Sequence, residues 1–198
     1  MVDEFILQKF KYSRSDKMPI KLDMSRDELA SLFKDLGYKK GAEIGVERGI
    51  YSRTLLSLNP ELKLYCIDPL KVYKGYREHV SQEKMDNFYS EVQCRLQNYN
   101  YELIRKFSMD AVNDFRDEEL DFVYIDGNHD FQNTTNDIAE WSKKVRFGGI
   151  IAGHDFNRNK KKDYICHVKD VVHGWTYAHG ISPWFITSDK SPSYFWTK

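Results

Sequence analysis

Two apolar runs, each halting abruptly at charged residues, constrain this chain more than any other feature. LDFVYID (residues 120–126) runs straight into the polar turn Asp126-Gly127-Asn128-His129-Asp130, and GGIIAGHDF (148–156) stops at His154-Asp155. Between them, Asn133 to Lys144 reads as a helix with Ile138, Trp141 and Val145 facing inward. Apolar strands separated by a helix imply a buried, parallel βαβ unit with a right-handed crossover. Ligands in open α/β sheets gather outside the carboxyl ends of the strands. Asp126, His129, His154 and Asp155 are therefore expected on one rim, with carboxylates and imidazoles together.

The same alternation extends in both directions. Ser25 and Glu28 form a capping box ahead of a helix carrying Leu29, Leu32, Phe33 and Leu36, and Gly37 closes it. A first strand, 41–46, is followed by a tight turn and the helix SRTLLSL, in which Ser52 is expected as a cap. A second strand, LKLYCID, ends at Asp68, and an amphipathic helix spans about Ser81 to Gln97. YELIRKF supplies a third strand and Met109 to Phe115 a short helix. A last helix is placed from Tyr164 to Ala178, before a terminal hairpin of SPWFITS and SPSYFWT. Residues 25–198 thus read as one α/β domain, and residues 1–24 as a loosely packed arm that can help form a homodimer or cover the site.

Composition excludes several partners. Thirty basic and thirty acidic residues cancel, giving no global field for nucleic acid or an acidic membrane. No apolar run approaches the roughly 20 residues of a membrane span. Cys66, Cys94 and Cys166 form neither an even framework nor a CxxC pair, so a reducing cytoplasm and small buried hydrophobes are expected.

The first βα turn carries Glu43-x-Gly45-x-x-x-Gly49. Glycines there let the backbone turn tightly and approach a ligand. A dinucleotide fold wants a further glycine to admit the pyrophosphate, but this chain has Glu47, whose charge repels phosphate. Glu43 likewise suits a ligand ammonium. Asp68, about 20 residues on, can accept both hydroxyls of a ribose. The combination favours an adenosine bearing an amino acid over one bearing phosphates.

Glu43-Ile-Gly45-Val-x-x-Gly49, the strand-terminal Asp68, IDGNHD, GGIIAGHDF and the final SPSYFWTK together resemble class I S-adenosylmethionine-dependent methyltransferases. The closest likeness is to small-molecule O-methyltransferases of the catechol and macrocin types. The resemblance implies a Rossmann-like, doubly wound, seven-stranded sheet of order 3-2-1-4-5-7-6, mostly parallel, whose last strand is antiparallel. It implies that the cofactor's methionine lies over Glu43 and Gly45, its ribose on Asp68 and its adenine near Ser108-Met109, although Met109 is equally suited to core packing. In catechol-type relatives, the positions matching Asp126 and His154-Asp155 bind a divalent cation, and a base stands at the position matching His129. This chain departs from that pattern at His154, which replaces an oxygen ligand. Imidazole suits Mn, Fe or Zn better than Mg. Asp126 is then a metal ligand or an acid beside the cofactor, His129 a general base or a helix cap, and His154 a ligand or a satisfied buried histidine.

Elsewhere, Asn159 to Lys162 follows the fifth strand and either reaches over the rim toward an anionic acceptor or is a solvated loop. Tyr73, Tyr76, Phe88 and Tyr89 mark a lid or core packing. His167, His173 and His179, six residues apart, spread around their helix and make no metal site. The expected activity is methyl transfer to a hydroxyl of a small molecule. The alternatives are a metal-dependent oxygenase on the same fold and a cofactor-binding protein without turnover.

Overall fold

The computed structural model describes residues 1–73, 80–161 and 164–198. Its centre is an open sheet of β2 (Lys40–Ile44), β3 (Lys63–Ile67), β4 (Tyr101–Ile104), β5 (Leu120–Ile125) and β6 (Val145–Gly153). These five strands run parallel in the order β4-β3-β2-β5-β6. Helices α3 (Ile50–Leu58), α4 (Gln82–Leu96), α5 (Ser108–Ala111) and α6 (Phe131–Lys144) make the crossovers. Their apolar stripes cover both faces, which is why β5 and β6 are apolar on alternate and intervening positions alike. One layer packs Phe122, Tyr124 and Ile150 against Leu29, Phe33 and Leu55. The other packs Val123 and Ile151 against Ile138, Trp141 and Val172.

The terminal hairpin forms as expected: β9 (Phe185–Ile186) pairs antiparallel with β10 (Tyr194–Thr197), which pairs antiparallel with β6. The order of these seven strands is the one the resemblance implies. The sheet has an eighth strand, however. β1 (Ile20–Lys21) adds parallel to β9 at the edge. The segment expected as a loose arm is therefore bound by main-chain hydrogen bonds, Ile20 N–H to the Trp184 carbonyl at 3.0 Å and Leu22 N–H to that of Ile186 at 2.9 Å. It also forms α1 (Val2–Phe10), whose Ile6 and Leu7 enter the core beside α2 (Arg26–Asp35). Its short, mixed apolar pattern hid this, because an edge strand of two residues carries no readable period.

Other readings also differ. Tyr164–Cys166 is β8, paired antiparallel with β7 (Asn159–Lys161), and the last helix, α7, starts at Val168. Lys162 and the side chains of Lys160 and Lys161 lie outside the described residues, as does Tyr76. Ser52 is not a cap: Gly49, at φ +69°, begins α3. Cys66 and Cys166 are buried, but Cys94 is exposed on α4.

Candidate active site

A cleft of about 1360 Å³ opens at the carboxyl ends of β2, β3, β5 and β6. Gly45, Asp68, Ser108, Met109, Asp126, His129, His154 and Asp155 line it, so most residues singled out in the sequence meet at one place. Gly49 does not line it, and neither does Glu43. It lies beneath the turn, 2% exposed, with the Ser52 hydroxyl donating to its carboxylate. Burial is the main cause pushing its carboxyl up, to about 8, with Asp126 and Asp68 adding to the rise while Ser52 and Arg26 oppose it. The side chain points to α3 because successive residues of β2 face opposite sides of the sheet.

The turn after β2 is dictated by its neighbours. Gly45 has φ +91°, and a Cβ there would stand 2.1 Å from the Asp126 carbonyl oxygen. Its strand neighbour, as much as any ligand, requires the glycine. Asp68 braces the turn by accepting from the Val46 and Glu47 N–H groups at 3.0 and 2.8 Å, while its other oxygen accepts from Leu70 N–H at 2.8 Å. Glu47 takes φ +50°, the left-handed region, at the position where dinucleotide folds keep a glycine.

At the opposite wall, His129 Nε2 lies 3.2 Å from Asp126 Oδ1 and 3.6 Å from Asp155 Oδ2. His154 Nδ1 lies 3.5 Å from Asp126 Oδ2 and 3.3 Å from Asp155 Oδ1. Burial opposes charge on Asp126, but hydrogen bonds and attraction from His129 and His154 hold its carboxyl below the usual carboxylate range. The Ser191 hydroxyl donates to Asp155, and Asp130, not His129, caps α6 by accepting from Asn133 N–H at 2.8 Å. One ligand atom each from Asp126, His154 and Asp155 falls within a 4.8 Å cluster. An imidazole with two carboxylates in that span fits a divalent cation of the Mn or Fe type.

A model of the methyltransferase-domain family matches residues 42–156, more than half of the sequence. The chain belongs to the methyltransferase-domain family. It is 30% identical over 137 residues to an uncharacterized protein of Acanthamoeba polyphaga mimivirus, a match spanning 66% of this chain and 57% of that protein. This chain therefore accounts for little more than half the length of that relative. Among solved structures, the Bacillus cereus O-methyltransferase in complex with SAH shares the fold with a TM-score of 0.62, at 17% identity, over 100% of this chain and 90% of the other. The N-methyltransferase NodS of Bradyrhizobium japonicum does so with a TM-score of 0.59, at 12% identity, over 87% and 94%. The fold is that of S-adenosylmethionine-dependent methyltransferases. Among the described residues, no helix is long and apolar enough to cross a membrane.

Two residues of the cleft escaped the sequence reading. Arg26, the first residue of α2, lies 3.7 Å from Asp126 Oδ2 and 4.4 Å above the Tyr51 ring. Nothing local marks it, since the capping box accounts for its neighbourhood. Asp137 is 4% exposed within α6. Its signal was present: Thr134, Asp137, Ile138 and Trp141 follow the i, i+3, i+4, i+7 core spacing, so an acid occupies a core position.

Proposed function

We propose that this chain moves the methyl group of S-adenosylmethionine to a hydroxyl oxygen of a small molecule. The observation that carries the reading is the imidazole of His129 within 3.2 and 3.6 Å of the carboxylates that end two neighbouring strands. That wall faces the turn at Gly45 across one cleft, so a donor on the turn side presents its methyl to an acceptor on the histidine side. Gly45 borders the methionine part, Asp68 the ribose, and Ser108 and Met109 the base. Glu43 supports this arrangement from below through Ser52 rather than by touching the ligand.

In the transfer, the acceptor oxygen forms a bond to the methyl carbon while the carbon–sulfur bond breaks, its electron pair passing to sulfur to leave S-adenosylhomocysteine. The acceptor's proton goes to His129, and the side chains of Asp126 and Asp155 beside it stabilise the resulting imidazolium. Asp126, His154 and Asp155 would hold a divalent cation, which when bound lowers the pKa of a coordinated hydroxyl. Arg26 adds positive charge beside Asp126 and favours an ionised acceptor oxygen.

Calorimetry with S-adenosylmethionine and with NAD separates the cofactor classes. Binding of the first and not the second is expected, followed by labelled methyl transfer to some member of a hydroxylated acceptor panel. Binding of NAD alone overturns the reading. Binding of S-adenosylmethionine with iron-dependent oxygen consumption and no methyl transfer replaces it with an oxygenase.

A further inference from the structure

Asp137 is buried in α6 yet forms part of the cleft wall. Its Oδ1 accepts from the Ser108 hydroxyl, and the Ser108 oxygen in turn accepts from Trp141 Nε1 at 2.8 Å. This relay has a fixed polarity. The indole can only donate, so the serine proton is directed to Asp137. The second carboxylate oxygen lies beside Gly127, 3.5 Å from where a Cβ of that glycine would be, and among the described residues it has no hydrogen-bond partner and no paired cation. A carboxylate oxygen on the cleft wall offers its lone pairs to a ligand N–H. The side chains on either side of Ser108 do not compete: Met109 offers only a thioether and Phe107 no polar atom.

We propose that Asp137 accepts a hydrogen bond from the exocyclic amine of the cofactor's base and is the residue that selects adenine. This rests on the reading that the cleft holds S-adenosylmethionine with its base at the Ser108 end. A base with a carbonyl in place of the amine sets oxygen against oxygen and is rejected.

The experiment compares binding of S-adenosylhomocysteine with that of S-inosylhomocysteine, which carries that carbonyl. Calorimetry is run at pH 8.5, above the value of about 7 to which burial pushes the Asp137 carboxyl. The wild type is expected to prefer the adenine compound by on the order of 10- to 100-fold. In Asp137→Asn the relay forces the amide oxygen toward Ser108 and the NH₂ toward the cleft, so the preference should collapse or invert. Equal affinities in the wild type, or an unchanged ratio in a folded Asp137→Asn, overturns the proposal while leaving the proposed function standing. Failure of the wild type to bind either compound removes both.

Discussion

His129 Nε2 stands 3.2 Å from Asp126 Oδ1, and the same nitrogen is 3.6 Å from Asp155 Oδ2. One imidazole thus bridges the ends of β5 and β6, which are adjacent in the sheet. The bridge exists because the turn after β5 returns His129 over its own strand end, while the φ of +51° at Asp155 swings the β6 carboxylate toward it.

A base in that position acts on the chemical step and not on cofactor affinity. His129→Gln should lower turnover by about 10²- to 10⁴-fold and leave S-adenosylmethionine binding within about threefold of the wild type. Single-turnover methyl transfer beside calorimetry makes the comparison, and equal losses in both would assign His129 a structural role.

Gly45 is held between strands, so its replacement tests the architecture. Gly45→Ala requires a side chain at φ +91° whose Cβ would meet the Asp126 carbonyl at 2.1 Å. A loss of about 3 kcal/mol or more is expected, with cofactor affinity falling alongside it. Thermal unfolding and binding measured on the same samples check this, and a variant of wild-type stability would disprove the packing argument.

Glu43 predicts how stability varies with pH. Its carboxyl is raised from 4.5 to about 8 in the folded chain, so between those values the folded state binds more protons than the unfolded state. Stability from this group is therefore greatest near pH 4.5, falls as pH rises, and levels off above about 8. Glu43→Gln removes the dependence, so its stability relative to the wild type should climb across that window by on the order of a few kcal/mol. Denaturant unfolding at pH 5, 6.5 and 8 measures the difference. A constant offset would mean that Glu43 is ionised in the fold.

The cluster of Asp126, His154 and Asp155 makes a prediction that needs no turnover. Mn²⁺ should bind the wild type, and His154→Ala should weaken that binding by at least about tenfold without changing the affinity for S-adenosylhomocysteine. Titration followed by electron paramagnetic resonance reads the metal directly. Identical Mn²⁺ affinity in both proteins would make His154 a packing residue.

Sequence determined what local pattern can carry. Apolar runs and their polar stops marked every strand of the central sheet, the helices between them, and the acids and histidines that end β3, β5 and β6, because burial on both faces demands continuous apolar strands. The order and spacing of those motifs also carried the family. Tertiary structure decided what depends on side-chain direction and on pairing between distant segments. It turned Glu43 under the glycine turn, brought Arg26 and Asp137 into the cleft from two different helices, and joined residues 20–21 to the sheet edge. An isolated acid or a two-residue strand looks the same in sequence wherever it lands. Only the packed neighbours of Asp137, Trp141 and Ser108 set which way its hydrogen bonds run, and so which oxygen faces the cleft.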